Sequence, residues 1–197
     1  SAAAKKKFDA DPKHFLPQFG GLCTTALGGP YGNRLPGDPT VFDVRKGKVY
    51  LFSTERAKRA YVKNDPDWII GQAEELSKKP VLRGRCPVSY FTAGRATPGK
   101  EKIKFLYRGS LYYFANKKAR AAFIKDPQRY LPQYGGYSMD RCLDRRLNEP
   151  DPALFAVHEG KLYFFFSESG RARFLADPLA MIAEVDLHWA VITGKTD

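Results

Sequence analysis

Apolar and polar residues alternate in short segments separated by glycine. Residues 42–52 alternate in this way on both sides of Gly47, which predicts a β-hairpin that turns near Lys46-Gly47. Ser53-Thr54-Glu55 follows, and these residue types begin helices because their side chains accept hydrogen bonds from free backbone N–H groups. The next apolar residues have the spacing of one helix face, which we expect to pack on the hairpin: Ala57, Ala60 and Tyr61.

The hairpin-plus-helix pattern occurs three times. Gly-x-(Leu/Val)-Tyr-x-Phe is followed after nine residues by an aromatic residue and then by Asp-Pro, which ends a helix. Fixed spacings kept three times indicate an internal repeat whose aromatic residues form the core of each unit rather than a ligand site. The repeated sets are Gly47, Tyr50, Phe52, Tyr61 and Asp65-Pro66; Gly109, Tyr112, Phe114, Phe123 and Asp126-Pro127; and Gly160, Tyr163, Phe165, Phe174 and Asp177-Pro178.

A fourth copy is present in part. Residues 8–21 match residues 123–136 at each aromatic residue, at Asp-Pro and at Pro-Gln-(Phe/Tyr)-Gly-Gly. We therefore expect the chain to begin inside a unit whose β-hairpin an upstream segment or another chain supplies. The predicted fold is α+β, an array of β-hairpin-plus-helix units in two alternating types, duplicated as a pair that divides near Lys79 to Arg85. The predicted units span 1–29, 37–80, 85–142 and 150–192.

One stretch carries a family resemblance. Cys86-Pro87-Val88-Ser89-Tyr90-Phe91, the aromatic and glycine residues of 107–114, and the pattern of 123–136 together resemble a complete YHS domain. The resemblance covers nearly the whole chain and is strongest over 86–139. It implies treble-clef-like units related to TRASH metal fingers, and the order of the units is similar to that of bacterial multi-YHS proteins, which are commonly exported. A periplasmic or otherwise exported location is the expectation; no single reaction is implied.

The resemblance also bears on metal binding. Metal-binding relatives carry cysteines in the opening motif, just after the hairpin Phe and four residues further along, where thiolates can converge on a soft ion. Neither zinc nor another metal is expected at these positions, because this chain has none of those cysteines. The residues found there are Val41, Ser53 and Ala57; Ser89, Ala115 and Ala119; and Leu154, Phe166 and Gly170.

Three cysteines remain as weak metal candidates: Cys23, Cys86 and Cys142. An odd number cannot pair completely within one chain. Three interpretations stay open, namely a Cys23–Cys86 or Cys86–Cys142 disulfide, free and partly buried thiols, and a copper or haem site. The histidines lack mutual ligand spacing: His14, His158 and His188.

Charge narrows the class of partner. The chain has 33 Lys and Arg against 21 Asp and Glu, a formal net charge of +12, which favours an acidic protein, an anionic membrane or nucleic acid. The basic residues occur in short runs with acidic residues among them, and none forms an arm-like block. Nucleic-acid binding would require exposed aromatic residues for stacking.

The expected function is non-enzymatic. No nucleophile elbow, phosphate-binding loop, zinc-protease motif or dinucleotide-binding turn is present. The sequence predicts a non-enzymatic, exported binding or scaffold protein, an accessory subunit that docks on an acidic protein or a membrane face. The alternatives are a copper- or haem-handling protein that uses Cys23, Cys86 or Cys142, and a nucleic-acid-binding module. No cofactor and no transmembrane segment are expected.

Overall fold

A computed structural model describes residues 1–194, with all of their side chains except those of Ala4, Lys13 and His14. The fold is mixed α+β, as predicted, and its strands form two-stranded sheets. The chain divides into two compact units. The first contains Ser1–Lys79 and Tyr107–Ser110, and the second contains Pro80–Leu106 and the residues from Leu111 onward. The division at Lys79 lies inside the stretch where the sequence pattern places the boundary of the duplicated pair.

The first unit consists of helices around one hairpin. Strand β1 pairs antiparallel with β2, and Phe42 lies opposite Leu51 while Val44 lies opposite Val49. Leu22, Leu27 and Ala73 form a small apolar cluster beside the hairpin. In chain order the elements are α1 (Ala2–Ala10), α2 (Pro12–Phe15), α3 (Thr24–Leu27), β1 (Asp38–Arg45), β2 (Lys48–Phe52), α4 (Glu55–Lys63) and α5 (Pro66–Ser77).

The second unit contains two hairpins, each followed by a helix of nine residues. Strand β5 pairs antiparallel with β6, and Phe155 lies opposite Phe164. The elements are α6 (Ser89–Thr92), β3 (Lys100–Tyr107), β4 (Ser110–Phe114), α7 (Lys117–Lys125), α8 (Met139–Cys142), β5 (Phe155–His158), β6 (Lys161–Phe164), α9 (Glu168–Ala176) and α10 (Pro178–Ile192), with the turn Tyr107–Ser110 grouped in the first unit. No helix among residues 1–194 combines the length and the hydropathy needed to cross a membrane.

The hairpins turn where the pattern predicts. Lys46 and Gly47 connect β1 to β2, and both have positive φ, at 50° and 74°. Such a pair is typical of a type I′ turn, whose twist matches that of the flanking strands. The other two hairpins have the same arrangement at Arg108-Gly109 and Glu159-Gly160.

Side-chain caps begin the helices that follow the hairpins. Thr54 accepts a hydrogen bond from the N–H of Ala57, as the sequence predicts, and Ser167 accepts one from the N–H of Gly170. Asp65 and Asp177 have a structural role as well, because their carboxylates cap α5 and α10, each of which has proline in its first turn.

The repeated aromatic residues form the core, which confirms the prediction. Phe123 is fully buried, with its ring centroid 4.9 Å from that of Tyr112 and 5.2 Å from that of Phe114. Phe174 has the same environment, 5.0 Å from Tyr163 and 5.2 Å from Phe165. These rings bury large apolar areas, and apolar burial is the main stabilising term in such small units.

A turn with left-handed backbone angles recurs along the chain. In Pro17–Gly21 and Pro132–Gly136, residues Phe19 and Tyr134 have φ near +55°, an uncommon conformation outside glycine. Pro80–Gly84 adopts the same turn at Leu82 and Arg83, although it lacks the Gln-(Phe/Tyr)-Gly signature. The sequence analysis missed this third turn, whose remaining signal is the shared spacing Pro-x-x-x-Gly.

Candidate docking surface

Two of the cysteines fill a structural position. Cys23 and Cys86 each lie two residues beyond a left-handed turn, and their backbone N–H groups donate to Leu35 O at 2.8 Å and Thr97 O at 2.9 Å. Ser138 occupies the corresponding position after the third turn and donates to Asn148 O at 3.2 Å. All three side chains are fully buried. A small side chain that fits this site is therefore what the position requires, and a thiol is not essential.

The third thiol is also buried. Burial, with a smaller effect of the Asp140 carboxylate, raises the pKa of Cys142 to about 12. The thiol therefore stays protonated at neutral pH, whereas the thiolate is the form that binds soft metals. Cys23, Cys86 and Cys142 are all free, so neither of the disulfides left open by the sequence is formed.

The other metal candidates are separate. Within residues 1–194, no group of three or more His, Cys, Asp or Glu side chains is placed to hold a metal ion. His158 packs edge-on against Phe174, and His188 accepts a hydrogen bond from Arg145 at 3.4 Å. The side chain of His14 lies outside those that the structure describes.

Asp140 occupies the region where the family resemblance would place metal ligands. Its carboxylate accepts hydrogen bonds from the N–H of Phe166 and from the hydroxyl of Ser167, both at 2.8 Å. A Cβ atom at Gly170 would overlap this carboxylate, which explains glycine there. In the first unit the Thr25 hydroxyl donates to Ala57 O at 2.9 Å. Hydrogen bonds within the protein thus hold these helix starts, a role for Asp140 that the sequence analysis did not identify.

An exposed aromatic pair lies at the start of the chain. The ring centroids of Phe8 and Phe15 are 6.3 Å apart, and the matching rings of Phe123 and Tyr130 are 6.4 Å apart. The ring separation is nearly the same, but the rings are tilted by 44° in the first pair and by 29° in the second, and the burial differs. Phe8 and Phe15 are 41% and 40% exposed, whereas Phe123 and Tyr130 are 0% and 8% exposed. Leu16, beside the pair, is also exposed. We call the segment Ser1–Leu16 the N-terminal aromatic surface.

Tyr90 marks a second difference between the units. Its ring lies 4.8 Å from Phe155 and 5.2 Å from Phe164, both edge to face, and its hydroxyl donates to Pro152 O at 3.1 Å. The corresponding hairpin of the first unit has the same Asp-Pro-x-x-Phe opening, yet Pro39 is exposed and Phe42 is 47% exposed. The outer face of β1 is therefore a second apolar surface.

Positive charge is concentrated in one segment. Residues 80–131 hold 12 of the 33 Lys and Arg residues but only two of the 21 Asp and Glu residues, a formal net charge of +10. Residues 1–79 carry +5 and residues 132–197 carry −3. The basic residues of 80–131 still occur in short runs, but only Glu101 and Asp126 lie among them.

Three of these cations form a row on one strand. Lys100, Lys102 and Lys104 are exposed at alternate positions of β3, while Ile103 and Phe105 between and beyond them are half-buried. Alternate residues of a strand are roughly 6.6 Å apart and point to one side. Within the described residues, none of the three ammonium groups has a carboxylate within ion-pair distance. We call this set the lysine row.

Comparison with known proteins gives no relative. No protein-family model, no curated protein and no solved structure matches the chain.

Proposed function

We propose that this chain is a non-enzymatic binding protein built from tandem YHS-like units, and that it docks as an accessory subunit on an acidic surface of another protein. The observation that carries the proposal is the concentration of charge in residues 80–131, with the lysine row as its most regular part. Cations at alternate positions of a rigid strand match carboxylates at alternate positions of an extended partner segment.

The tandem organisation is supported by repeated local structure. Three hairpins with positive-φ turns are each followed by a helix of nine residues that buries an aromatic side chain at its seventh position. The buried aromatic residues are Tyr61, Phe123 and Phe174. Small units of this kind are stable when they pack on neighbours, and a chain of them presents an extended surface.

An acidic protein fits better than the other polyanions. Binding to single-stranded nucleic acid combines basic residues with exposed aromatic rings. The aromatic side chains of the β3–β4 hairpin are either half-buried, namely Phe105, Tyr107 and Tyr113, or buried, namely Tyr112 and Phe114. An anionic membrane contributes only about 1 kcal/mol for each basic residue near its surface, so three lysines alone bind it weakly.

The test is titration with three anionic probes. A labelled extended peptide with glutamate at alternate positions should bind more tightly than single-stranded DNA or phosphatidylserine vesicles, and its affinity should fall with salt. Reversing Lys100, Lys102 and Lys104 to Glu should weaken peptide binding at least about tenfold, since three attractive pairs become repulsive.

The matched control reverses three exposed cations of α4, namely Arg56, Arg59 and Lys63, to Glu. It makes the same change in net charge and should leave most of the peptide affinity. Equal losses in the two triple variants would mean that net charge alone drives binding. Tighter binding of DNA or of vesicles than of the peptide would refute an acidic protein partner.

A further inference from the structure

We infer that copies of this chain bind each other through two helices of the second unit, with the outward face of α10 in one copy packed against the outward face of α7 in another. The inference goes beyond the proposed function, which rests on the lysine row of β3. Because the contact joins two different faces, it can be made twice in a closed two-fold dimer or once per copy in a longer assembly.

Helix α10 is apolar on two opposite faces. Met181 and Val185 are buried within the second unit. On the outward face four apolar residues, spaced by four, are exposed, and we call them the α10 stripe: Leu179, Ala183, Leu187 and Val191. Leu179 and Leu187 are 65% and 74% exposed. A helix that is apolar all round is typical of a buried position, so the stripe is suited to contact another element.

The equivalent helix of the first unit shows that the fold does not require this stripe. Aligned on Asp-Pro, α5 buries Ile69 and Ala73 at the positions where α10 buries methionine and valine. On the outward face α5 instead has Asp67, Gly71 and Glu75, where α10 has leucine, alanine and leucine. Asp67 and Glu75 stay exposed although the chain continues beyond α5 into the second unit. Continuation of the chain therefore leaves this face of α5 uncovered, and the apolar stripe is particular to α10.

Charge indicates which element fits the stripe. Helix α10 carries Glu184 and Asp186 on either side of the stripe and has no lysine or arginine. Glu184 pairs with Arg173 at 2.7 Å, whereas Asp186 accepts a hydrogen bond from the uncharged Tyr134 hydroxyl and keeps its full charge. A second α10 would bring like charges together, and an anionic membrane would repel them. The favoured partner is a helix whose apolar face lies between basic residues.

Helix α7 has such a face. Its nine residues include four cations and no acidic residue. Ala121 and Ile124 are exposed on its outward side, Ile124 by 41%, while Phe123 is buried beneath the hairpin. The small side chain of Ala121 allows close approach of a facing helix. Within one copy the α7 face and the α10 stripe are both exposed, so the complementary pair can form only between copies.

Helix α4 is the matched comparison for α7. It has Val62, 63% exposed, at the position of Ile124, but Arg59 replaces Ala121. A long charged side chain interrupts the apolar face there, although α4 is also basic. The combination of apolar face and positive charge therefore favours α7 as the partner of the stripe.

Sedimentation velocity of the intact chain tests the contact. A standard interface buries about 800 Å² on each partner, more than a nine-residue helix can supply. We therefore expect reversible association that grows with protein concentration and weakens in salt. Leu187→Gln and Ile124→Gln should each weaken self-association about tenfold. Val62→Gln, the control on α4, should change it less than about twofold.

Mixing the two variants gives the sharpest result. Leu187→Gln keeps the α7 face and Ile124→Gln keeps the α10 stripe, so the mixture should associate more tightly than either variant alone. A mixture no tighter than the separate variants, or a wild-type chain that is monomeric at every concentration, would overturn the inference. Equal weakening by Val62→Gln would also overturn it, as would self-association that Leu187→Gln abolishes and Ile124→Gln leaves intact. Circular dichroism confirms that each variant folds.

Discussion

Residues 1–21 and 116–136 have nearly the same sequence pattern and similar local structure, but their aromatic side chains differ in burial. Each has a nine-residue helix, an Asp-Pro, a ring pair and a left-handed turn. Phe123 lies beneath a hairpin and is fully buried, whereas Phe8 is 41% exposed. Local pattern therefore determines helix and turn, while burial depends on an element distant in sequence.

The largest expected effect tests this difference in burial. Phe123→Ala should lower the free energy of unfolding by about 3–5 kcal/mol, because it removes a buried ring and leaves a cavity. Phe8→Ala should lower it by less than about 1 kcal/mol, since the ring is already partly solvated. Urea denaturation of both variants measures the two values. Similar losses would contradict the comparison.

A smaller effect concerns Tyr90. Tyr90→Phe keeps the ring between Phe155 and Phe164 but removes the hydrogen bond to Pro152 O. The variant should lose about 1 kcal/mol of unfolding free energy, the usual contribution of one hydrogen bond. Phe42→Ala, at the uncovered hairpin of the first unit, should lose less than Phe155→Ala. A larger loss at Phe42 would mean that its exposed face is covered in solution.

Tyr61→Phe is expected to raise the stability of the protein rather than lower it. Its ring lies 4.9 Å from Phe52 in the core, and its buried hydroxyl has no hydrogen-bond partner among the described residues. Burial also raises the pKa of Tyr61 to about 12. Tyr61→Phe, which installs the residue found at positions 123 and 174, should stabilise the protein by about 1 kcal/mol. Thermal unfolding measures the change, and a decrease in Tm would show that the hydroxyl is satisfied.

The smallest expected effect concerns the Cys142 thiol, which changes the free energy of unfolding only as the pH becomes alkaline. The folded pKa, about 12, lies above the ordinary value of about 8.5, so the unfolded thiol loses its proton first as the pH rises. The contribution of this thiol is complete below about pH 8.5 and is lost as the pH rises towards the folded pKa. Urea midpoints should fall more steeply over this range in wild type than in Cys142→Ala. Parallel curves would show that the thiol is not protected.

Much of the local structure follows from the sequence. The turn at Lys46-Gly47, the caps at Thr54 and Ser167, and the aromatic core are readable because each depends on neighbours within a few residues. The turn at Pro80–Gly84 is hard to predict because Leu82 replaces the usual aromatic residue and Arg83 replaces the usual glycine in the left-handed positions.

The candidate surfaces follow from the sequence only in part. The match of residues 8–21 to 123–136 predicts a partial unit, but nothing local shows that Tyr90 covers Phe155. Nor does the local sequence show that Asp140 accepts hydrogen bonds from Phe166 and Ser167, just ahead of α9. Both are long-range contacts. The cysteines illustrate the same limit. Cys86 is prominent within a family-like motif, yet its position matches Cys23 and Ser138 in backbone hydrogen bonding.

Hydrogen exchange tests the central claim most directly, because it compares α1 and α7 within the same protein. We expect the α1 amides to exchange faster than the α7 amides, because Phe8 is 41% exposed whereas Phe123 is fully buried beneath a hairpin. Equal protection of the two helices would contradict the account.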